Sequence, residues 1–316
     1  MPEEMQGLLR RDPHNPILTV RDLPHMEEGV FNPGAVQYAS GTLLLVRIED
    51  RGGISRLAIA RSADGVTDWR IEERPDLCPQ PNTHPEEAQG IEDARITYLE
   101  PLGLYAIAYT AYSDCGPLVS LATTPNFERF ERLGAVLPPE NKDTALFPAK
   151  FGSRWAMLHR PVPRHGDERA HIWIAYSPDL HHWGDHRVIL KARIGGHWDS
   201  GRIGLSAPPM LTDEGWLLLY HSSQPTAGGK SYRVGLALLD TEDPTRVLLR
   251  SSEWILAPEA DYELVGQGGI VFPCGWIRDG DDVRIYYGAG DHSVALAHAR
   301  ASELLEWFHR HHAPDL

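Results

Sequence analysis

The segment GIEDARITYLE, residues 90–100, sets an acidic pair, Glu92 and Asp93, beside Arg95 at the start of a strand-like run. Strands seldom open with three charges unless those charges face something polar. Related placements recur along the chain. Hydrophobic stretches end in Arg47, Arg160, His221 and Asp291, others open with Asn32 or Lys142, and Arg202 stands just ahead of one more. Tyr232 and Arg233 precede a further apolar run. Cationic side chains and a tyrosine hydroxyl gathered in one place would hold an anion such as phosphate from several sides, through charge-assisted hydrogen bonds. Asp93 is the contrasting group. A partly buried carboxyl can be kept protonated as a general acid, or it can serve with Glu92 and Arg95 in a structural ion pair. The residues alone leave both roles open.

Elements able to position these groups are visible as an internal repeat. Five segments start with small residues, proline or a polar kink and run into a strand: FNPGAVQYA (31–39), GIEDARITYL (90–99), TALFPAKF (144–151), GLSAPPMLT (204–212) and GGIVFPCGWI (268–277). After a short turn each is followed by a second apolar run, such as GTLLLVRIED or GWLLLYHSS, and then by a third, such as SRLAIARS or HIWIAYS. Several units add a more polar fourth strand near a tryptophan, as in DGVTDWRI and PDLHHWGDHRVIL. Each unit is a β-meander.

Five four-stranded units, none able to bury both faces alone, are expected to pack radially as an all-β, five-bladed β-propeller. The alternatives are an irregular β-sandwich or two β domains. No linker divides the chain, so residues 1–316 are expected to form one catalytic domain. The segment HNPILTV (14–20) is expected to supply the strand that closes the ring, and SELLEWFHR (302–310) a short C-terminal helix docked on its own blade or on a second copy. Antiparallel topology brings the start of one strand and the end of the next to the same end of a blade. The polar residues named above should therefore converge at one mouth. The Pro-rich segment 72–89 is expected as a loop near that mouth, where it could influence the choice of acceptor.

Thirty basic against 44 acidic residues give a net charge of −14, which argues against nucleic acid or an anionic membrane as partner. The three cysteines, Cys78, Cys115 and Cys274, are far apart and without CxxC spacing, which suits a reduced cytoplasm. No signal peptide is recognised, and no apolar run approaches the ~18 residues of a membrane span. The sixteen histidines include no HExxH, so no metal is expected. GAGDHS lacks the βαβ surroundings of a dinucleotide loop, and there is no GxSxG elbow.

The blocks VFNPGA, GIEDARIT, NKDTALFPAKF, RWAMLHRP, WDSGRIGLSAPPMLTDEGWLLLYH, VFPCG and IYYGAGD resemble, in order and over nearly the whole chain, those of the β-mannoside phosphorylases of glycoside hydrolase family 130. That resemblance implies a five-bladed propeller. It also implies inverting phosphorolysis, in which inorganic phosphate attacks the anomeric carbon of a non-reducing β-mannosyl unit to give α-mannose 1-phosphate and a shortened acceptor. Asp93 matches the family's general acid, thought to pass its proton through the 3-hydroxyl of the bound mannose. Lys142, Arg160, Arg202, His221 and Tyr232 match the phosphate-binding positions, and Asn32, Arg47 and Asp291 those that hold the mannose. Phosphate is then a co-substrate and no cofactor is implied.

Three departures stand out. Many members carry arginine where Lys142 stands and lysine where Arg202 stands, and EDPR is commoner than EDAR. An inverting hydrolase needs a second carboxylate to activate water, whereas phosphate is already a nucleophile and needs positioning and charge neutralisation. Were the chain a hydrolase instead, Glu263 is the nearest candidate base. A non-catalytic carbohydrate-binding propeller is the third reading. Linkage (β-1,4 or β-1,2), acceptor and self-association are not legible in the residues.

Overall fold

Alternation along the middle strands dictates the architecture. In GTLLLVRIE, Leu43 and Leu45 face one side while Leu44 and Val46 face the other, and all four are fully buried. A strand apolar on both faces must be covered on both, and successive side chains point to opposite faces. Leu43 and Leu45 pack with Ile91, Ile107 and Tyr109 of the next sheet, and Leu44 and Val46 with Tyr286 and Leu296 of the last. Such packing repeats at every junction between neighbouring sheets, so the core is five inter-blade layers arranged around a ring.

The computed structural model describes residues 7–23, 25, 27–72, 77–163, 169–226, 229–265 and 269–313. Its five antiparallel sheets form a five-bladed β-propeller. Blade 1 is β2 (Gly29–Tyr38), β3 (Gly41–Glu49), β4 (Ser55–Ser62) and β5 (Arg70–Ile71). Blade 2 is β6 (Ile91–Leu99), β7 (Leu104–Ser113), β8 (Gly116–Thr124) and β9 (Glu131–Leu137). Blade 3 is β10 (Asn141–Phe151), β11 (Arg154–Pro161), β12 (Ile172–Ser177) and β13 (Gly184–Leu190). Blade 4 has β14 (Arg202–Leu205) and β15 (Met210–Thr212) both paired with β16 (Gly215–Thr226), then β17 (Gly229–Leu239) and β18 (Val247–Arg250). Its inner strand, expected as one run, is split because Pro208 and Pro209 between the two pieces have no N–H to donate.

Blade 5 is β19 (Val271–Asp279), β20 (Asp282–Ala289) and β21 (Ser293–Arg300), with β1 (Arg10–Arg11) as its fourth strand. The ring is therefore closed by the N-terminal segment, but not by the residues expected. Arg10 and Arg11 pair with His298 and Ala297, whereas within 14–20 only Leu18 makes an isolated bridge, to Val294. Pro16 within that stretch, and Pro13 just ahead of it, lack the amide a ladder requires.

The C-terminal helix α1 (Ala301–Arg310) buries Leu304, Trp307 and Phe308 against residues of blades 4 and 5, so the LLEWF face is spent on its own chain. Among the described residues no helix is long and apolar enough to cross a membrane. Of the segment 72–89, residues 73–76 lie outside the described residues. Its end does reach the mouth: Gln89 donates from its amide to the Tyr112 carbonyl (2.8 Å), and Gly90 bridges to Ser55.

Candidate active site

Three blades deliver a polar side chain to the axis by the same device. The inner strands β2, β6 and β10 each shift register against the next strand, between Phe31 and Gly34, Glu92 and Arg95, and Lys142 and Ala145. The first residue of each step, Asn32, Asp93 or Asp143, has φ of 49°, 53° or 54°. A non-glycine residue held there costs of order 1–3 kcal/mol, and such strain collects at functional sites. Bulges of this kind re-aim a side chain. Here they turn three short polar groups inward. Two glycines make room for them: a Cβ on Gly288 would overlap the Asn32 side chain, and one on Gly204 the Asp143 carboxylate.

These groups meet the ends of the second strands in one cavity of about 130 Å³, lined by Asn32, Arg47, Asp93, Lys142, Asp143, Arg160, His221, Ser223, Tyr232, Ile270, Phe272 and Asp291. Eight of the nine expected site residues are therefore brought together. Arg202 is the exception. It lines an adjoining cavity with Arg169, Gln224 and Lys230, and the two cavities share Ser223.

The cavity has two chemically distinct sides. Blades 1, 2 and 5 contribute Asn32, Arg47, Asp93 and Asp291. The Asp93 carboxylate accepts from Asn32 Nδ2 (2.8 Å) and Arg47 Nη1 (3.3 Å). Arg47 Nη2 also meets Glu49 and Glu92, each at 3.0 Å, while Nε donates to Ser55 Oγ (2.8 Å). Burial alone would raise the Asp93 pKa, but the charges of Arg47, Arg95 and Lys142 and the Asn32 bond hold it below the ordinary carboxylate value. Burial instead prevails at Glu92, which is raised, and at Asp291, which burial and repulsion from Asp93 push up to about 6.

Blades 3 and 4 contribute Lys142, Arg160, His221 and Tyr232. Arg160 Nε donates to Asp143 Oδ2 (2.6 Å), and His221 Nε2 lies 3.4 Å from that oxygen. His221 Nδ1 is 3.3 Å from Ser206 Oγ, and its ring packs on Phe272 with centroids 4.7 Å apart. Burial lowers the His221 pKa against the pull of Asp143, and Tyr232 is pushed up to about 12, so its hydroxyl stays a donor.

Two further residues prove central: Arg95, read from sequence only as a candidate ion-pair partner of Glu92 and Asp93, and Asp143, given no role there. Arg95, 1% exposed, donates to the carbonyls of Asp93 (2.8 Å), Leu205 (3.2 Å) and Ser206 (3.0 Å), clamping blade 2 to blade 4. Asp143, also 1% exposed, receives Arg160 and His221 and lies 3.7 Å from Arg95. The aligned repeats do put Asp143 at the position of Asn32 and Asp93 in the first two units; its role was the part the sequence did not show.

Glu263, the candidate base of a hydrolase, does not line the cavity. It is fully buried, accepts from Arg11 Nε (2.8 Å), Arg11 Nη2 (2.9 Å) and the Tyr287 hydroxyl (2.7 Å), and also caps the amides of Glu259 and Ala260. Its role is structural. Among the described residues no cluster of three or more His, Cys, Asp or Glu side chains is arranged to hold a metal.

The cavity at the axis of this five-bladed propeller thus sets a carboxyl group on one side and a lysine, an arginine, a histidine and a tyrosine on the other, the layout of an enzyme active site. The family model described as β-1,4-mannooligosaccharide phosphorylase matches residues 9–310, and the chain belongs to that family, glycoside hydrolase family 130. It is 42% identical to a β-1,2-mannobiose phosphorylase of Listeria innocua over 80% of this chain and 68% of that protein. A 1,2-β-oligomannan phosphorylase of a Thermoanaerobacter species is 37% identical over 92% of this chain and 96% of its own. Among solved structures, that of the Listeria innocua β-1,2-mannobiose phosphorylase in complex with β-1,2-mannobiose superposes with a TM-score of 0.86 at 34% identity, covering 96% of this chain and 99% of the other.

Proposed function

We propose that the protein is a β-mannoside phosphorylase, cleaving a β-linked mannosyl unit with inorganic phosphate to give α-mannose 1-phosphate and the acceptor sugar. The observation that carries this reading is the division of one cavity between Asp93, Asn32, Arg47 and Asp291 on one side and Lys142, Arg160, His221 and Tyr232 on the other. Inversion requires the nucleophile to enter opposite the departing oxygen, and a cavity with an acid on one wall and anion donors on the other suits that geometry.

In this reading Asp93 supplies the proton to the leaving oxygen, by way of the mannose 3-hydroxyl. Asn32 and Arg47 fix its carboxylate, and Asp291 accepts hydroxyls of the same sugar. Lys142 and Arg160 neutralise the phosphate, Tyr232 donates to it, and His221 completes that wall. Arg202 acts from the adjoining cavity, at the edge of the phosphate position. A phosphate beside Lys142 offsets one of the charges that keep Asp93 ionised, so its binding raises the acid's proton affinity at the stage when a proton is needed. The hydrolase reading loses its expected base with Glu263.

The linkage we favour is β-1,2, since both relatives above are named for β-1,2-mannosides. Rates with β-1,2-mannobiose and β-1,4-mannobiose at saturating phosphate test it. The expected result is kcat/KM at least tenfold higher for the 1,2-linked sugar, about 1.4 kcal/mol of discrimination. Equal or reversed values would return the choice to the β-1,4 compounds.

A further inference from the structure

Asp143 makes no use of its position as an acid: two guanidiniums and an imidazole from three blades converge on it. Arg160 of blade 3 donates from Nε to Oδ2 at 2.6 Å, His221 of blade 4 stands 3.4 Å from the same oxygen, and Arg95 of blade 2 lies 3.7 Å from Oδ1. Burial opposes its ionisation, yet Arg160, His221 and Arg95 hold it well below the ordinary carboxylate value. A carboxylate that stays charged at every working pH is a fixed counter-ion.

Its directional effect is what matters for the site. Engaging Nε of Arg160 leaves both terminal nitrogens of the guanidinium for another acceptor and fixes the plane of the fork. Facing Nε2 of His221 orients the ring and favours its proton on that nitrogen, with Nδ1 turned to Ser206. Two features show that the fold is built around this placement. Asp143 sits at φ 54°, strained for a non-glycine residue, and Gly204 leaves the space its carboxylate occupies.

We infer that Asp143 is the positioning residue of the phosphate subsite, holding Arg160 and His221 in the arrangement that receives phosphate; this rests on the phosphorylase reading above. A rival account follows from charge alone. As an anion beside an anion site, Asp143 would merely weaken phosphate binding, and removing it would tighten that binding. The two accounts predict opposite signs.

The test is steady-state kinetics with phosphate and mannoside varied in turn, on wild type, Asp143→Asn, Asp143→Glu and Gly204→Ala. Positioning predicts that kcat/KM for phosphate falls roughly 10- to 100-fold in Asp143→Asn, as expected for losing hydrogen bonds to charged groups. The KM for mannoside should stay within about threefold of wild type, a split that general loosening of the fold would not produce. Asp143→Glu, which keeps the charge, should recover part of the loss. Gly204→Ala keeps Asp143 but crowds both its carboxylate and the His221 ring, so a defect there is expected on this account, and an intact phosphate response would count against it even if Asp143→Asn does not fold. An unchanged or improved kcat/KM for phosphate in either Asp143→Asn or Gly204→Ala overturns the inference, while wild type still makes α-mannose 1-phosphate. Wild type without phosphate-dependent turnover would instead refute the phosphorylase reading itself.

Discussion

Glu92 and Asp93 are neighbours in a strand, yet both carboxylates reach one guanidinium, that of Arg47, at 3.0 and 3.3 Å. Regular strand geometry would send them to opposite faces. The register step between Glu92 and Arg95, with Asp93 at φ 53°, brings them together. The acid is thus a product of a local irregularity, held by Arg47 and Asn32 and backed by the Arg95 clamp on its own carbonyl.

Replacing Asp93 by asparagine keeps that geometry and removes the proton. Turnover of a mannoside with phosphate should fall roughly 10²- to 10⁴-fold, the usual contribution of a general acid. Thermal unfolding should move little. Undiminished kcat in the variant would assign the acid elsewhere.

Proton linkage offers a second check. The cations hold Asp93 ionised at neutral pH, and phosphate beside Lys142 offsets part of their charge. Phosphate binding should therefore be accompanied by proton uptake at Asp93, beyond what phosphate itself exchanges. Calorimetry in two buffers of different ionisation heat measures this, and Asp93→Asn should lose the difference. Equal uptake in wild type and variant would show that the acid's proton is not coupled to the anion.

Asp291 gives the pH dependence of sugar recognition. With its pKa pushed up to about 6, it is a carboxylate above that pH and becomes protonated below it. At saturating phosphate, kcat/KM for the mannoside should decline below pH ~6, by up to tenfold per unit for a single proton. Asp291→Asn should be less active and lack that limb. A wild-type profile flat from pH 5 to 7 would remove Asp291 from this role.

Glu263 tests structure against chemistry. Its pair with Arg11 ties the ring-closing strand to the loop before blade 5; breaking a fully buried pair on one side costs about 3–5 kcal/mol, and with Arg11 partly exposed the loss here should be smaller. Burial alone would raise the Glu263 pKa, but Arg11, the backbone amide of Glu259 and the Tyr287 hydroxyl lower it. The stabilisation is therefore complete above the ordinary glutamate value and fades as pH falls through the lower folded one. Glu263→Gln should reduce the urea midpoint at pH 7 by an amount that shrinks on acidification, while kcat of the folded fraction persists. Loss of kcat without loss of stability would restore it as a catalytic base.

How far the sequence carried these conclusions depends on which physics each feature uses. Blade number follows from repeats with period-2 apolar strands, as in Leu43–Val46, because burial on two faces is written directly into composition. Convergence of Asn32, Arg47, Asp93, Lys142, Arg160, His221, Tyr232 and Asp291 follows from antiparallel pairing. Arg202 fell outside the cavity wall because a position at the start of β14 does not reveal which of two adjoining hollows it faces. The work of Asp143 and Arg95 was not legible because Asp143 holds the side chains of Arg160 and His221 and Arg95 the backbone carbonyls of Leu205 and Ser206, relations between blades that no local pattern records. The closing strand was displaced because two prolines outweigh apolar character where amides are needed.

Incubation with β-1,2-mannobiose, with and without inorganic phosphate and followed by phosphorus NMR, tests the central claim most directly. The account predicts α-mannose 1-phosphate formed only when phosphate is present, in step with release of mannose as acceptor. Free mannose appearing at the same rate without phosphate, and no sugar phosphate with it, would contradict a site built from Lys142, Arg160, His221 and Tyr232 to bind the nucleophile.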